Sequence, residues 1–264
     1  MQYPKRVTIE LTNRCNRQCT GCPRHKMTYP QGYMTPELYK NIIAQLPRHT
    51  VIVPFFRGES TMHPHFPAYM RLLKGFKEVQ LATNADYLTP RNQKAILNNC
   101  TFISISLHEY KLPYQCKFLS FLKDAACRGL ETQISIVENM LPKNRHKHFV
   151  KMWQRYVDRV RIYKEHSANG FGCMNLPVTM QACNKPFEDL IVYWDGKVGL
   201  CNHDWNNSEQ LGDLNVQSIR RVWRGLPYQT VRCLHENGMR NQVKVCESCS
   251  FQPNQIYGEL IKVK

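Results

Sequence analysis

A chain of 264 residues, 42% hydrophobic with a mean hydropathy of −0.49, has enough material for one large domain or one domain plus a small appendage, and reads as water-soluble. It holds no apolar stretch of the length needed to cross a bilayer, and Met1-Gln2-Tyr3-Pro4-Lys5-Arg6 runs directly into strand-like alternation without a signal peptide, so the expected location is the cytoplasm. The formal charge of +16 favours anionic partners, and twelve cysteines in a reducing compartment argue for metal binding or redox chemistry over disulfides.

Strand and helix signals alternate six times between residues 5 and 165. Val7, Ile9 and Leu11 alternate with Thr8, Glu10 and Thr12, as a half-buried strand requires. Thr35-Pro36-Glu37 opens a helix with Thr35 as N-cap and Leu38, Ile42, Ile43 and Leu46 as its apolar stripe. Thr89-Pro90 repeats the device for a helix through Leu97. Further strands are predicted at Val51–Phe56, Val79–Thr83, Phe102–Leu107, Thr132–Val137 and Val160–Tyr163, with a bulge or strand end at Pro54. Helices at about 65–75, 117–128 and 145–157 complete the pattern, Gly129 serving as a C-cap. Such βα units imply a parallel sheet, and six of them suit a partial (β/α)6 TIM-like barrel of the α/β class. After His166 the pattern changes: Leu190–Trp194 and Lys197–Leu200 flank Asp195-Gly196, a strong hairpin signal, and short helices follow at about 217–224 and 227–236. The expected division is a barrel over residues 1–175 and a small C-terminal domain of a β-hairpin plus short helices over 176–264.

Two cysteine constellations stand out. Cys15, Cys19 and Cys22 lie in the loop after the first strand, with three and then two residues between them. Three thiolates on one loop leave a fourth ligand position unfilled, which suits a [4Fe–4S] cluster with one open iron. Zinc is the alternative, with His25 or Cys183 as a further ligand. Cys183 and Cys201 bracket the hairpin, and Cys246-Glu247-Ser248-Cys249 adds a CxxC, so four thiolates can converge. Spacing alone leaves zinc and iron–sulfur equally open there.

The run Glu10-Leu11-Thr12-Asn13-Arg14-Cys15-Asn16-Arg17-Gln18-Cys19-Thr20-Gly21-Cys22-Pro23 resembles the cluster loop of the radical S-adenosylmethionine (radical SAM) superfamily, with Gly21 where many members carry an aromatic residue. The resemblance implies that the open iron binds the amino and carboxylate groups of S-adenosylmethionine, whose reductive cleavage yields a 5′-deoxyadenosyl radical. Arg57-Gly58-Glu59-Ser60 resembles the family's Gly-Gly-Glu segment with Arg57 for its first glycine, Thr83-Asn84-Ala85 its Thr-Asn-Gly turn, and Ser104-Ile105-Ser106-Leu107 its serine-bearing strand. Gly58, Glu59, Ser60, Asn84, Ser104 and Ser106 are therefore the expected cofactor-binding residues.

Cys183-Asn184-Lys185-Pro186-Phe187, Trp194-Asp195-Gly196-Lys197-Val198, Cys201-Asn202-His203-Asp204 and Gly212-Asp213-Leu214 resemble the shortened SPASM domain called twitch, with spacings similar to those of radical SAM aminocyclitol dehydrogenases. That likeness implies a second [4Fe–4S] cluster on Cys183, Cys201, Cys246 and Cys249, able to take an electron from a substrate radical.

Cys116, after strand four, and Cys173, in the Gly-rich loop after strand six, are candidate hydrogen donors at the barrel mouth, which would make an epimerase. Arg161 and His166 are candidate contacts to substrate or the cofactor carboxylate. Cys100 and Cys127, beside apolar runs, are expected in the core. The basic stretch from Lys143 through Lys164 reads as a solvated face, and no RNP-type run or GXXG loop supports nucleic-acid binding. The partners expected are a reducing protein such as flavodoxin or ferredoxin and a small-molecule or peptide substrate, which the positive charge allows to be anionic. Oxidation of a small hydroxylated or aminated compound is the leading expectation. Peptide or RNA modification, or a non-catalytic zinc or electron-transfer protein, are its rivals.

Overall fold

The computed structural model describes residues 2–19, 22–164, 181–250 and 258–263. Strand β1 (Arg6–Ile9) is followed by α1 (Pro36–Ala44), β2 (Val51–Val53), α2 (Phe66–Leu72), β3 (Glu78–Thr83) and α3 (Pro90–Asn99). Then come β4 (Phe102–Ser106), α4 (Leu119–Cys127), β5 (Glu131–Val137), α5 (His146–Trp153) and β6 (Arg159–Tyr163). The six strands and the five helices between them are those expected, and the fold is α/β around a parallel sheet. Thr35 and Thr89 cap as predicted, their hydroxyls accepting the main-chain N–H of Leu38 and of Asn92, each at 3.3 Å. β2 stops at Val53, because Pro54 has no N–H for the ladder. Gly129 takes φ +69° just past α4, the left-handed position glycine fills at a helix end.

The C-terminal part contributes α6 (Lys185–Glu188), β7 (Asp189–Val192), β8 (Lys197–Gly199), β9 (Gly212–Asp213), α7 (Ile219–Trp223), α8 (Leu226–Glu236) and β10 (Glu259–Lys262). The predicted hairpin is β7–β8, turning at Asp195-Gly196 with Gly196 at φ +88°. It does not stand apart from the barrel. β7 pairs in parallel with β1, Val7 facing Leu190 and Ile9 facing Val192, so the strand order is β10-β6-β5-β4-β3-β2-β1-β7-β8-β9. β10, which no sequence signal announced, lies antiparallel on β6 and covers that edge of the sheet.

Alternation along the strands sorts side chains between two environments. Ile103, Ile105, Ile134 and Ile136 enter the apolar core, which continues through Tyr39, Ile42, Phe121 and Trp153 of the helices. The intervening Ser104, Gln133 and Ser135 are buried too, but they hydrogen-bond one another. Cys100 packs against the core as expected, and burial drives its thiol pKa up. Cys127 does not. It is exposed, because α4 buries Phe121, Leu122 and Ala125, and position 127 lies on the opposite face of that helix. Among the described residues, no helix is long and apolar enough to cross a membrane.

Ala85 is the one turn residue at β3's end with a left-handed backbone, φ +65°. A side chain there costs about 1–2 kcal/mol, while glycine costs roughly 0.5–1 kcal/mol in unfolded-chain entropy. Ala85→Gly is therefore expected to raise stability by up to about 1 kcal/mol. The check is a rise in the urea midpoint at unchanged slope; a fall would show that packing of the Ala85 methyl outweighs the strain.

Candidate active site

The loop that leaves β1 is anchored at its root. Thr12 Oγ1 donates to the Gly32 carbonyl at 2.6 Å, and Asn13 clamps the same segment, Nδ2 donating to Pro30 O at 2.8 Å and Oδ1 accepting from Gly32 N at 3.0 Å. Gly58 lies directly against this root. A Cβ at position 58 would fall inside contact distance of the carbonyl oxygens of Thr12 and Arg14, and the next residue, Glu59, donates its N–H to Arg14 O at 2.8 Å. Only glycine allows the two loops so close an approach.

Cys15, Cys19 and Cys22 are all half-buried on this loop. Burial pushes the Cys15 and Cys19 thiols up. Asn84 Nδ2 stands 3.9 Å from Cys15 Sγ and donates to Asn16 Oδ1 at 2.9 Å, while Arg17 pairs with Asp86 in the turn after β3. Glu59 is buried between the loops. Its Oε1 accepts from Thr61 Oγ1 (2.6 Å) and Thr83 Oγ1 (2.7 Å), and its Oε2 from Asn84 N (2.7 Å). The Ser60 hydroxyl is buried with no hydrogen-bond partner among the described residues. Ser104 and Ser106 lie within the sheet, each hydroxyl within 3.3 Å of Ser135 Oγ, and Gln133 Nε2 donates to Ser104 at 2.9 Å.

Several participants escaped the sequence reading. Gln133 and Ser135 carried a signal, being polar alternates in an otherwise apolar strand. His108 carried none, yet its Nδ1 lies 3.1 Å from Cys19 Sγ. His108 also borders a cavity of about 410 Å3 with Arg17, Asn84, Ser106 and Cys116. Cys116 lines this cavity, its thiol 3.6 Å from Leu112 O. Arg161 is half-buried on β6, its guanidinium 4.9 Å from the Tyr163 ring centre. Cys173 and His166 lie outside the described residues.

Glu10 directly follows β1 and is fully buried. Its two carboxylate oxygens accept the main-chain N–H groups of Arg57 and Trp194, each at 3.4 Å, while its own N–H donates to Val192 O at 2.8 Å. Burial pushes the carboxyl up to about 7. Arg57 passes from this point toward the C-terminal part, packed over Phe56 (4.7 Å) and Trp205 (5.2 Å), and donates to the carbonyl of Asn202 beside Cys201. Burial lowers its pKa to about 10.

Beyond Arg57 the second constellation assembles. Cys183, Cys201, Cys246 and Cys249 border one pocket with His203, His235 and Arg240. Burial raises the thiols of Cys183, Cys201 and Cys246, that of Cys246 to about 12. Arg240 is buried and straps the pocket, Nη2 donating to Cys249 O at 2.6 Å and Nη1 to Gln181 O at 3.0 Å. His25, weighed as a possible ligand, is exposed on the first loop, and Cys183 belongs to this second group. Among the described residues, no three His, Cys, Asp or Glu side chains close on a position for one metal ion. Four thiols around a shared hollow are the donor set of an all-cysteine [4Fe–4S] cluster, and three on an open loop that of a cluster with a free iron.

The radical SAM superfamily profile matches residues 9–115, and that of the SPASM iron–sulfur cluster-binding domain matches residues 183–250. Residues 9–115 are thus a radical SAM region, followed by a SPASM region at residues 183–250. S-adenosylmethionine and iron–sulfur clusters are the cofactors that go with these two regions. An S-adenosyl-L-methionine-dependent 2-deoxy-scyllo-inosamine dehydrogenase of Niallia circulans is 23% identical over 253 residues, 92% of each chain. The crystal structure of BtrN with AdoMet and 2-DOIA superposes with a TM-score of 0.67 at 20% identity, covering 97% of this chain and 98% of that one. SuiB of Streptococcus suis, bound to S-adenosylmethionine, gives 0.70 at 12% identity over 94% of this chain and 72% of its own. At these identities the two structures speak for the fold.

Two outcomes test this geometry. Gly58→Ala inserts a methyl where overpacking costs roughly 1–3 kcal/mol, and is expected to lower iron per reconstituted chain with little change in circular dichroism; unchanged iron would mean the loops can part freely. For Glu10 the folded carboxyl holds its proton up to about pH 7, whereas the unfolded one releases it near 4.5. Stability is then full below 4.5 and declines as pH rises to 7, by roughly 3 kcal/mol. Glu10→Gln is expected to remove that decline in urea midpoints measured from pH 5 to 7.5; a parallel decline in both proteins would remove Glu10 as its source.

Proposed function

We propose that the protein oxidises a small hydroxylated or aminated substrate by two electrons, with Cys15, Cys19 and Cys22 holding the radical-generating cluster and Cys183, Cys201, Cys246 and Cys249 the auxiliary one. When bound, the first cluster with S-adenosylmethionine supplies a 5′-deoxyadenosyl radical that takes one hydrogen atom, and the second supplies an acceptor for the remaining electron. The observation that carries this reading is Arg57: its main chain leads into Gly58-Glu59 at the first site, and its guanidinium holds the loop of Cys201 at the second.

The chain's own residues bind and orient. Glu59, whose Oε2 accepts from Asn84 N, and the Ser60 hydroxyl, buried without a partner among the described residues, are assigned to the methionyl end of S-adenosylmethionine, and Ser104, Ser106 and Asn84 to the rest of that cofactor. Arg161 is assigned to the substrate, and the cavity beside His108 and Cys116 to substrate or cofactor. The proposed division places the barrel in residues 1–175 and the auxiliary unit in 176–264, and a flavodoxin- or ferredoxin-type reductant fits the net charge of +16. The near-equal coverage shared with the dehydrogenase supports a small substrate over the precursor peptide that SuiB binds in another of its structures.

Anaerobically reconstituted protein is expected to hold about eight irons per chain and to form 5′-deoxyadenosine with reductant. With 2-deoxy-scyllo-inosamine or a related aminocyclitol, one keto product should appear per 5′-deoxyadenosine. Cys15→Ala/Cys19→Ala/Cys22→Ala should abolish cofactor cleavage. Cys201→Ala/Cys246→Ala should keep cleavage, halve the iron and stop substrate oxidation. Cleavage without the first three cysteines, or oxidation without the second pair, would sink the assignment.

A further inference from the structure

His235, on α8, faces the second site with its ring buried. Its Nδ1 lies 3.2 Å from the main-chain nitrogen of Cys183, and its Nε2 lies 3.6 Å from Cys246 Sγ. An amide nitrogen can only donate, so Nδ1 must present its lone pair. The ring therefore carries one proton, on Nε2, and that N–H points at the Cys246 sulfur. The same assignment bars His235 from ligating a metal through Nε2, since a protonated ring nitrogen has no lone pair to give. A metal-bound histidine shows the opposite pattern, its second nitrogen donating to a carbonyl or carboxylate.

We propose that His235 is a positioning residue of the auxiliary centre that donates a hydrogen bond from Nε2 to the Cys246 thiolate and so raises the reduction potential of the cluster held there. The inference rests on the proposed ligand role of Cys183, Cys201, Cys246 and Cys249. A hydrogen bond to a ligating sulfur withdraws electron density and stabilises the more negative, reduced cluster. An acceptor tuned upward in this way takes an electron from a substrate radical more readily. The Cys183 contact gives His235 a second role: it fixes the ring from the main chain of one ligand and aims it at the side chain of another. The buried Arg240 guanidinium adds positive charge in the same direction, and it remains in every variant compared below.

The test uses the full chain with Cys15→Ala, Cys19→Ala and Cys22→Ala, which leaves the second site as the sole cluster site. Iron content and an EPR-monitored redox titration are measured for this parent and for His235→Leu and His235→Gln within it. The parent is expected to hold about four irons. With iron retained, His235→Leu should titrate at a lower potential, and His235→Gln, which keeps an N–H, should return toward the parent. Equal potentials in all three, or a glutamine variant as low as the leucine one, would overturn the inference. A parent without iron would instead overturn the ligand assignment. If His235→Leu loses its iron, ENDOR of the reduced parent with 15N-labelled histidine decides. A weak nitrogen coupling that disappears in His235→Gln supports the hydrogen bond, and a strong directly ligated coupling, or none, rejects it.

Discussion

Glu10 is the point on which the site turns. A carboxylate fully removed from water at the end of β1 accepts main-chain N–H groups from Arg57, after β2, and Trp194, after β7, while its own amide binds Val192. Three neighbouring strand ends are thereby held at one level. The cysteine loop, the Gly58-Glu59 segment and the hairpin leading to Cys201 all grow from those ends. Burying a carboxyl with two long hydrogen bonds is unfavourable, and its raised pKa is the sign of that cost. The fold accepts the cost where it joins the N-terminal βα units to the C-terminal cysteine pocket.

Around this junction, positive charge is concentrated close to thiols. Arg17 and Arg24 flank the first loop, linked by Arg24 Nη2 donating to Arg17 O at 2.6 Å. Arg57 lies between the sites and Arg240 inside the second. Thiols raised by burial are poor ligands until deprotonated, and nearby guanidinium groups favour the thiolate. The chain's excess of lysine and arginine is thus partly a local matter of its cysteine sites, and not only a coat that attracts anionic partners.

The corrections share one cause. Cys127 sits beside an apolar run in sequence, but helical geometry turns it outward by two positions from Ala125. His108 has no motif of its own and gains its meaning only because β4 ends beside the loop of Cys19. β10 is four residues of weak pattern that become a strand only where β6 offers an unpaired edge. Arg57 reads as a substitution in a glycine-rich segment, and it becomes a bridge once β7 is placed next to β1.

What the sequence determined by itself was local: six strands with five helices between them, capped helices, the Asp195-Gly196 turn and two sets of cysteines with their ligand spacing. These follow from periodicity, capping chemistry and the small number of residues over which a loop can gather thiols. The tertiary structure alone decided that the hairpin extends the barrel sheet and that Gly58 touches the cysteine loop. It alone placed His108 against Cys19 and His235 between Cys183 and Cys246. Such contacts join residues tens or more than a hundred positions apart, and strand order, which sets them, is fixed by burial and edge pairing across the whole sheet and not by any local run of residues.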